Sequence, residues 1–242
     1  MKILGIETAT FVCAAAIADD GSVLTEQRIE AQHSHSEKLV TLVDKCLQTV
    51  NCDLKSLAGI AVSIGPGSFT GLRIGLSVAK GLSCASGVPL VSIPTLKALA
   101  WNAVTFNLVK PNDVVLSLID ARRDEVYMAI YKWNGQKLEE LVSSCAMSVK
   151  ELNAQIPARH KVVILGDGAG KFQQFYKKAE IDDFSHYIIP EKDMRLCSAA
   201  AVAILGAEKL TMYGSENISS MEPLYVKDFF TLVKTQYQKV SI

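Results

Sequence analysis

The sequence predicts an α/β fold built from two copies of one βββ–α–β–α unit. Three observations predict it. An apolar, strand-like run ends in an acidic residue twice, with residues 3–6 leading into Glu7 and residues 114–119 into Asp120. Each is followed by a second β-rich run (11–18 and 125–133), a hairpin dipeptide (Asp20-Gly21 and Asn134-Gly135) and a third run (22–31 and 137–143). Asp-Gly and Asn-Gly between such runs are strong short-range hairpin signals. Each half then repeats strand, glycine turn and helix: Gly59-Ile-Ala-Val-Ser-Ile64 before Gly65-Pro-Gly-Ser-Phe-Thr-Gly-Leu-Arg73, and Val162-Val-Ile-Leu-Gly-Asp-Gly-Ala-Gly170 before a helix at 171–176. One order of elements occurring twice marks an internal duplication.

Residues 33–50 read as an amphipathic helix. Leu39, Val40, Leu42, Val43, Cys46, Leu47 and Val50 fall within an arc of roughly 160°. Ser34 or Ser36 suits the N-cap, and Glu37 the first turn. The helix at 71–85 is apolar over roughly 200°, with Arg73, Ser77, Lys80 and Cys84 as its polar strip. Such a helix is covered on two sides. Gly71, Gly75, Ala79 and Ser83 form a ridge of small residues that admits a close neighbour, either the preceding helix or a partner chain. A strand follows at 88–93. Pro94-Thr95 then opens a helix at 96–103. Lys110-Pro-Asn-Asp113 signals a loop between halves, so the domains are expected at 1–104 and 105–242. An alanine-rich helix at 196–210 and an extended segment, Glu222-Pro-Leu-Tyr-Val226, close the second half and are expected to pack back on the first. The last dozen residues read as a polar tail.

A chain of 242 residues, 49% apolar and 21% charged, describes a globular protein. Net charge is zero and no Lys/Arg cluster stands out, so contact with nucleic acid is expected mainly through a partner. The six cysteines (Cys13, Cys46, Cys52, Cys84, Cys145, Cys197) lack a C-x-x-C and read as free thiols of a reducing cytoplasm. The first apolar run is broken by Glu7, which argues against a signal peptide. No uninterrupted apolar run suggests a membrane span.

The four histidines (His33, His35, His160, His186) form no metal-binding spacing, and no metal site is expected. Ser68 and Thr70 have no identifiable base, and there is no Gly-x-Ser-x-Gly elbow. Nucleotide contact is the more plausible chemistry. Glycine turns at helix N-termini gather free N–H groups, and two acidic-ended strands facing across a cleft suit Mg²⁺–phosphate. The candidate contacts are Glu7, Thr8, Gly65, Gly67, Ser68, Arg73 and Asp120. Against autonomous phosphoryl transfer stands the lack of the Walker lysine pattern.

Taken in order, Met1-Lys-Ile-Leu-Gly-Ile-Glu-Thr-Ala-Thr10, His35-Ser-Glu-Lys-Leu39, Gly65-Pro-Gly-Ser-Phe-Thr-Gly-Leu-Arg-Ile-Gly75, Gly81-Leu82, Ile119-Asp-Ala-Arg-Arg-Asp-Glu-Val-Tyr127 and Glu222-Pro-Leu-Tyr-Val226 resemble the bacterial TsaB (YeaZ) family across nearly the whole chain. The resemblance implies a duplicated actin/hexokinase-like (ASKHA) fold of βββαβαβα halves. It implies a non-catalytic subunit of the machinery that makes N6-threonylcarbamoyladenosine at position 37 of ANN-decoding tRNAs. The TsaD paralogue carries the transfer chemistry there, and the TsaE ATPase joins. His33-Ser-His35-Ser-Glu37 does not supply the metal-binding histidine pair that the paralogue carries near this point. The resemblance further implies docking to TsaD, or to a second copy of the chain, through the first two helices. Leu39, Val43, Leu47, Gly71, Ile74, Gly75, Val78 and Leu82 mark that expected interface. It implies a cytoplasmic protein with no intrinsic cofactor, any ATP/ADP–Mg lying at the complex interface. The alternative is an autonomous ATP-dependent phosphotransferase or ATPase of the same fold.

Overall fold

The computed structural model describes residues 1–30, 35–157, 160–178 and 185–227. Two five-stranded sheets form its frame. The first contains β1 (Lys2–Glu7), β2 (Val12–Asp19), β3 (Ser22–Glu30), β4 (Gly59–Ser63) and β5 (Leu90–Ile93), in the order β3-β2-β1-β4-β5. The second contains β6 (Val114–Asp120), β7 (Glu125–Trp133), β8 (Leu138–Ser148), β9 (Val162–Leu165) and β10 (Tyr187–Ile188), in the order β10-β9-β6-β7-β8. Both halves run the same way. The first three strands pair antiparallel, and the fourth and fifth add parallel beside the first. The duplication read from the sequence is therefore a duplication of topology.

The Asp20-Gly21 hairpin closes in two residues that both hold positive φ (47° and 79°), the twist that suits a tight hairpin. Its counterpart needs four residues, 134–137, folded around the Asn134 side chain, whose Oδ1 accepts from the Gln136 and Lys137 N–H groups. The helices differ more. The first half places α1 (His35–Thr49) after its third strand, whereas the second half has a six-residue 3-10 segment, Val149–Ala154. Both halves place a helix after the glycine turn, α2 (Phe69–Ser86) and α4 (Ala169–Lys178). α2 starts two residues before the position expected, because Ser68 Oγ caps the Gly71 N–H. It ends at Gly87, which holds the left-handed conformation. His33 and Ser34 lie outside the described residues, as does the tail beyond residue 227, while Ser36 sits inside α1.

The last helix of each half lies on the other half's sheet. α3 (Thr95–Thr105) packs Leu96, Leu99 and Ala103 with Val115, Ile119 and Tyr131. After the short α5 (Lys192–Arg195), α6 (Ala199–Tyr213) packs Ala201, Val202 and Leu205 with Ile3 and Ala61. The exchange explains why β1 is buried almost end to end, since α6 covers Ile3 while α1 and α2 cover Leu4 and Ile6. It also explains the alanines of α6. A Cβ on Gly5 would stand 2.1 Å from the Ala199 carbonyl oxygen, and one on Gly206 2.3 Å from Ala61 Cβ, so helix and sheet meet backbone to backbone. The stretch Lys192–Tyr213 is long and apolar enough to span a membrane by length and composition, which run-length reading of the sequence passed over. Half of it is packed inside the fold. All six cysteines are free, with Cys13, Cys46 and Cys197 buried.

Candidate functional site

The two glycine turns close on the chain's own backbone. Ser68 N–H donates to the Ala9 carbonyl (2.7 Å), and Thr8 Oγ1 donates to the Gly71 carbonyl (2.8 Å). A Cβ on Gly67 would lie 2.3 Å from the Ala9 oxygen, one on Gly71 2.1 Å from the Thr8 oxygen, and one on Gly75 2.2 Å from Thr8 Oγ1. Gly65, at φ 120°, faces the Leu224 carbonyl oxygen. In the second half Gly166, at φ 100°, packs on the Leu118 carbonyl in the same way. The small-residue ridge Gly71, Gly75, Ala79 and Ser83 therefore faces inward, buried against the fold. That corrects the expectation for Gly71 and Gly75, which have no surface to offer a partner.

The cleft acids are closed as well. Glu7 and Thr8 are completely buried. Glu7 Oε1 accepts the Ala9 N–H at 2.6 Å, while Oε2 faces Ser63, whose hydroxyl works to lower the carboxyl, without a well-formed hydrogen bond among the described residues. Burial pushes the Glu7 carboxyl up to about 7, against the Ala9 hydrogen bond that lowers it. Cys197 is close enough for the Glu7 charge, after burial, to raise its thiol. Asp120 reaches the surface but is paired with Lys171 (2.6 Å), and its N–H donates to Asp167. A Mg²⁺–nucleotide held between Glu7 and Asp120 does not fit these residues. One acid is buried with its carboxyl pushed toward the neutral form, and the other already has its cation. Of the cleft candidates, Ser68, Arg73 and Asp120 are exposed, and Gly67 is half-buried.

An open groove of ≈ 490 Å³ lies where α1 and α2 meet. Thr70, Arg73, Ile74, Ser77 and Val78 line it, together with Phe69 and Ser36. The α2 residues follow helical spacing along one stripe, while Leu72, Gly75, Leu76 and Ala79 form the buried stripe beside it. Ile74, Val78 and Leu82 are half-buried, and Ile74 and Val78 reach the groove. On α1 the expectation divides. Leu39 and Val43 are core residues, 0% and 3% exposed, and Leu47 is half-buried. The exposed apolar residue of α1 is Val40, at 53%, one turn from Ser36 on the same side. A helical wheel cannot separate Val40 from Leu39 and Val43, because all lie in one apolar arc. Phe69 was missed because it precedes the apolar periodicity that defines α2.

Residues 221–227 brace two of the groove's residues, Phe69 and Arg73. Leu224 N–H donates to the Ile64 carbonyl (2.7 Å), and Met221 sits in the first half's core. Tyr225 then packs on Phe69 (ring centroids 5.2 Å apart), and Arg73 Nε donates to its hydroxyl (3.0 Å). The Arg73 guanidinium lies over the Phe69 ring at 3.8 Å. Two residues on, Lys227 pairs with Glu125 (2.6 Å) and donates to the Ala121 carbonyl in the second half. The segment thus ties the groove to the β6–β7 turn.

The duplicated topology defines a class, the actin/hexokinase-like fold, here with Glu7 buried and a groove open on two helices. Residues 23–229 match the family model described as TsaD: tRNA N6-adenosine threonylcarbamoyltransferase. The chain belongs to that family, within its TsaB/YeaZ group. It is 34% identical to the tRNA threonylcarbamoyladenosine biosynthesis protein TsaB of Escherichia coli, over 59% of this chain and 62% of that protein. The matched region therefore spans less than two thirds of that relative. It is 25% identical to the protein of that name from Haemophilus influenzae, over 97% of each chain. YeaZ from Pseudomonas aeruginosa shares the fold, with a TM-score of 0.76 and 22% identity over 93% of this chain and 99% of that one.

Proposed function

We propose that the chain is a non-catalytic subunit in the formation of threonylcarbamoyladenosine in tRNA, acting by docking a TsaD-type transferase on the α1–α2 groove. The observation that carries this is the pairing of a closed cleft with an open groove. Glu7 is buried and Asp120 is paired, so neither acidic strand end is free for nucleotide chemistry, while Ile74 and Val78 stand half-exposed on a helix face. A paralogue with the same duplicated fold offers the matching helix pair, and a second copy of this chain offers it too, so heterodimer and homodimer compete for one surface. The TsaE ATPase joins that complex, any nucleotide belongs to the shared interface, and the assembly works in the cytoplasm. A mixture of purified chain and transferase is expected to elute as one species by size-exclusion chromatography with light scattering, and the homodimer peak to decline as transferase is added. Two unshifted peaks at micromolar concentration would overturn the docking.

A further inference from the structure

The β6–β7 turn carries two arginines in a conformation that arginine seldom takes. Arg122 and Arg123 hold φ at 68° and 48°. Left-handed backbone is ordinary for glycine and tolerable for asparagine, and two bulky residues in succession are strained there. The surroundings hold the turn. Arg122 N–H donates to Asp120 Oδ1 (2.6 Å), Ala121 N–H to the Glu125 carbonyl, and Glu125 N–H to the Arg122 carbonyl. Lys227 clamps the Ala121 carbonyl from outside.

Two of the turn's three acids are matched by a lysine, Asp120 by Lys171 and Glu125 by Lys227, and the third, Asp124, stands exposed beside Arg123. Among the described contacts no hydrogen bond or ion pair engages either guanidinium, and both residues are exposed. Two exposed guanidiniums without a hydrogen bond stand on this turn, the Arg123 charge also acting on the nearby Glu125 carboxyl, and flat rings lie on the adjoining strand and segment. Lys227 reaches over the Tyr127 ring, and two residues back, about 7 Å of extended chain, Tyr225 packs with Phe69 and Arg73. Guanidiniums beside partly exposed rings suit a single-stranded nucleic acid, whose phosphates take the cations and whose bases stack on rings.

We propose that the Arg122–Arg123 turn contacts the single-stranded backbone of the RNA substrate directly. This rests on the reading of the chain as a tRNA-modification subunit. The test uses the full chain in complex with its transferase, and a fluorescein-labelled anticodon stem-loop of an ANN-decoding tRNA as probe. Arg122→Asn together with Arg123→Gly removes both charges while supplying residues that accept positive φ. Its thermal midpoint is expected to hold or rise. RNA affinity is expected to fall about tenfold, and the slope of log K against log salt to lessen by about 1.4, roughly 0.7 for each lost single-strand contact. Unchanged affinity and slope in the folded variant overturn the proposal. Unchanged RNA binding with loss of the transferase overturns it too, assigning the turn to a protein contact. Modified tRNA appearing at full rate without this chain overturns the underlying reading, and this contact with it. Full dependence on the chain with equal binding by the variant overturns the contact alone.

Discussion

Val78→Glu is expected to abolish association with the transferase and with a second copy of the chain while leaving the fold intact. Val78 is half-exposed on the groove stripe of α2, so in the free chain the new carboxylate reaches water. Once a partner covers the groove, that charge is buried without a cation, at a cost of several kcal/mol. About 4 kcal/mol corresponds to roughly a thousandfold in Kd, enough to remove a micromolar complex from a light-scattering titration. The contrast is Val43→Glu. Val43 is 3% exposed among Leu39, Leu42 and Cys46, so the same substitution there unfolds the first half instead of blocking docking. Val78→Glu binding with wild-type affinity would remove the groove from the account.

Glu7→Gln is expected to stabilise the protein above neutral pH and to leave it nearly unchanged near pH 4.5. The folded value of about 7 lies above the ordinary 4.5 because the carboxyl is buried. The contribution of such a group is fully present below pH 4.5 and is lost as pH rises through 7, because the unfolded chain gives up its proton first. Over that interval, at 1.36 kcal/mol per pKa unit, the loss is about 3 kcal/mol. Glutamine stays neutral, keeps the oxygen that accepts the Ala9 N–H, and offers Ser63 Oγ an amide donor. Urea denaturation at pH 4.5 and pH 8 reads the difference. Equal destabilisation by Glu7→Gln at both pH values would show that the charged carboxylate has a partner in the fold. A Mg²⁺-dependent gain in stability that the variant abolishes would show the cleft to be a metal site.

The duplicated architecture was legible because hairpin dipeptides and acidic strand ends are local signals repeated in one order. The glycine loop illustrates what local signals leave open. Gly65, Gly67 and Gly71 announce a close approach, and the sequence cannot say whether ligand or backbone approaches. The structure brings Leu224, Ala9 and Thr8, one of them from more than 150 residues away. The same distance in sequence hid the crossing of α3 onto the second sheet, since an apolar face does not name the sheet that covers it, whereas the return of the last helix to the first half was expected from the sequence. On α1, periodicity located the apolar arc but not its edge, so Leu39 and Val43 were assigned to a partner when they belong to the core. Arg122 and Arg123 were visible as a motif. Their positive φ, and the pairing of the neighbouring acids with Lys171 and Lys227, were not.

The central claim is that this chain is required for the transfer and does not perform it. The measurement that tests it most directly is threonylcarbamoyladenosine formation from tRNA, threonine, bicarbonate and ATP, with purified synthase, TsaD and TsaE, in the presence and absence of this chain. The account predicts product only when the chain is present, with Val78→Glu behaving as its omission. Equal product without the chain, or product from the chain with TsaD left out, would contradict it.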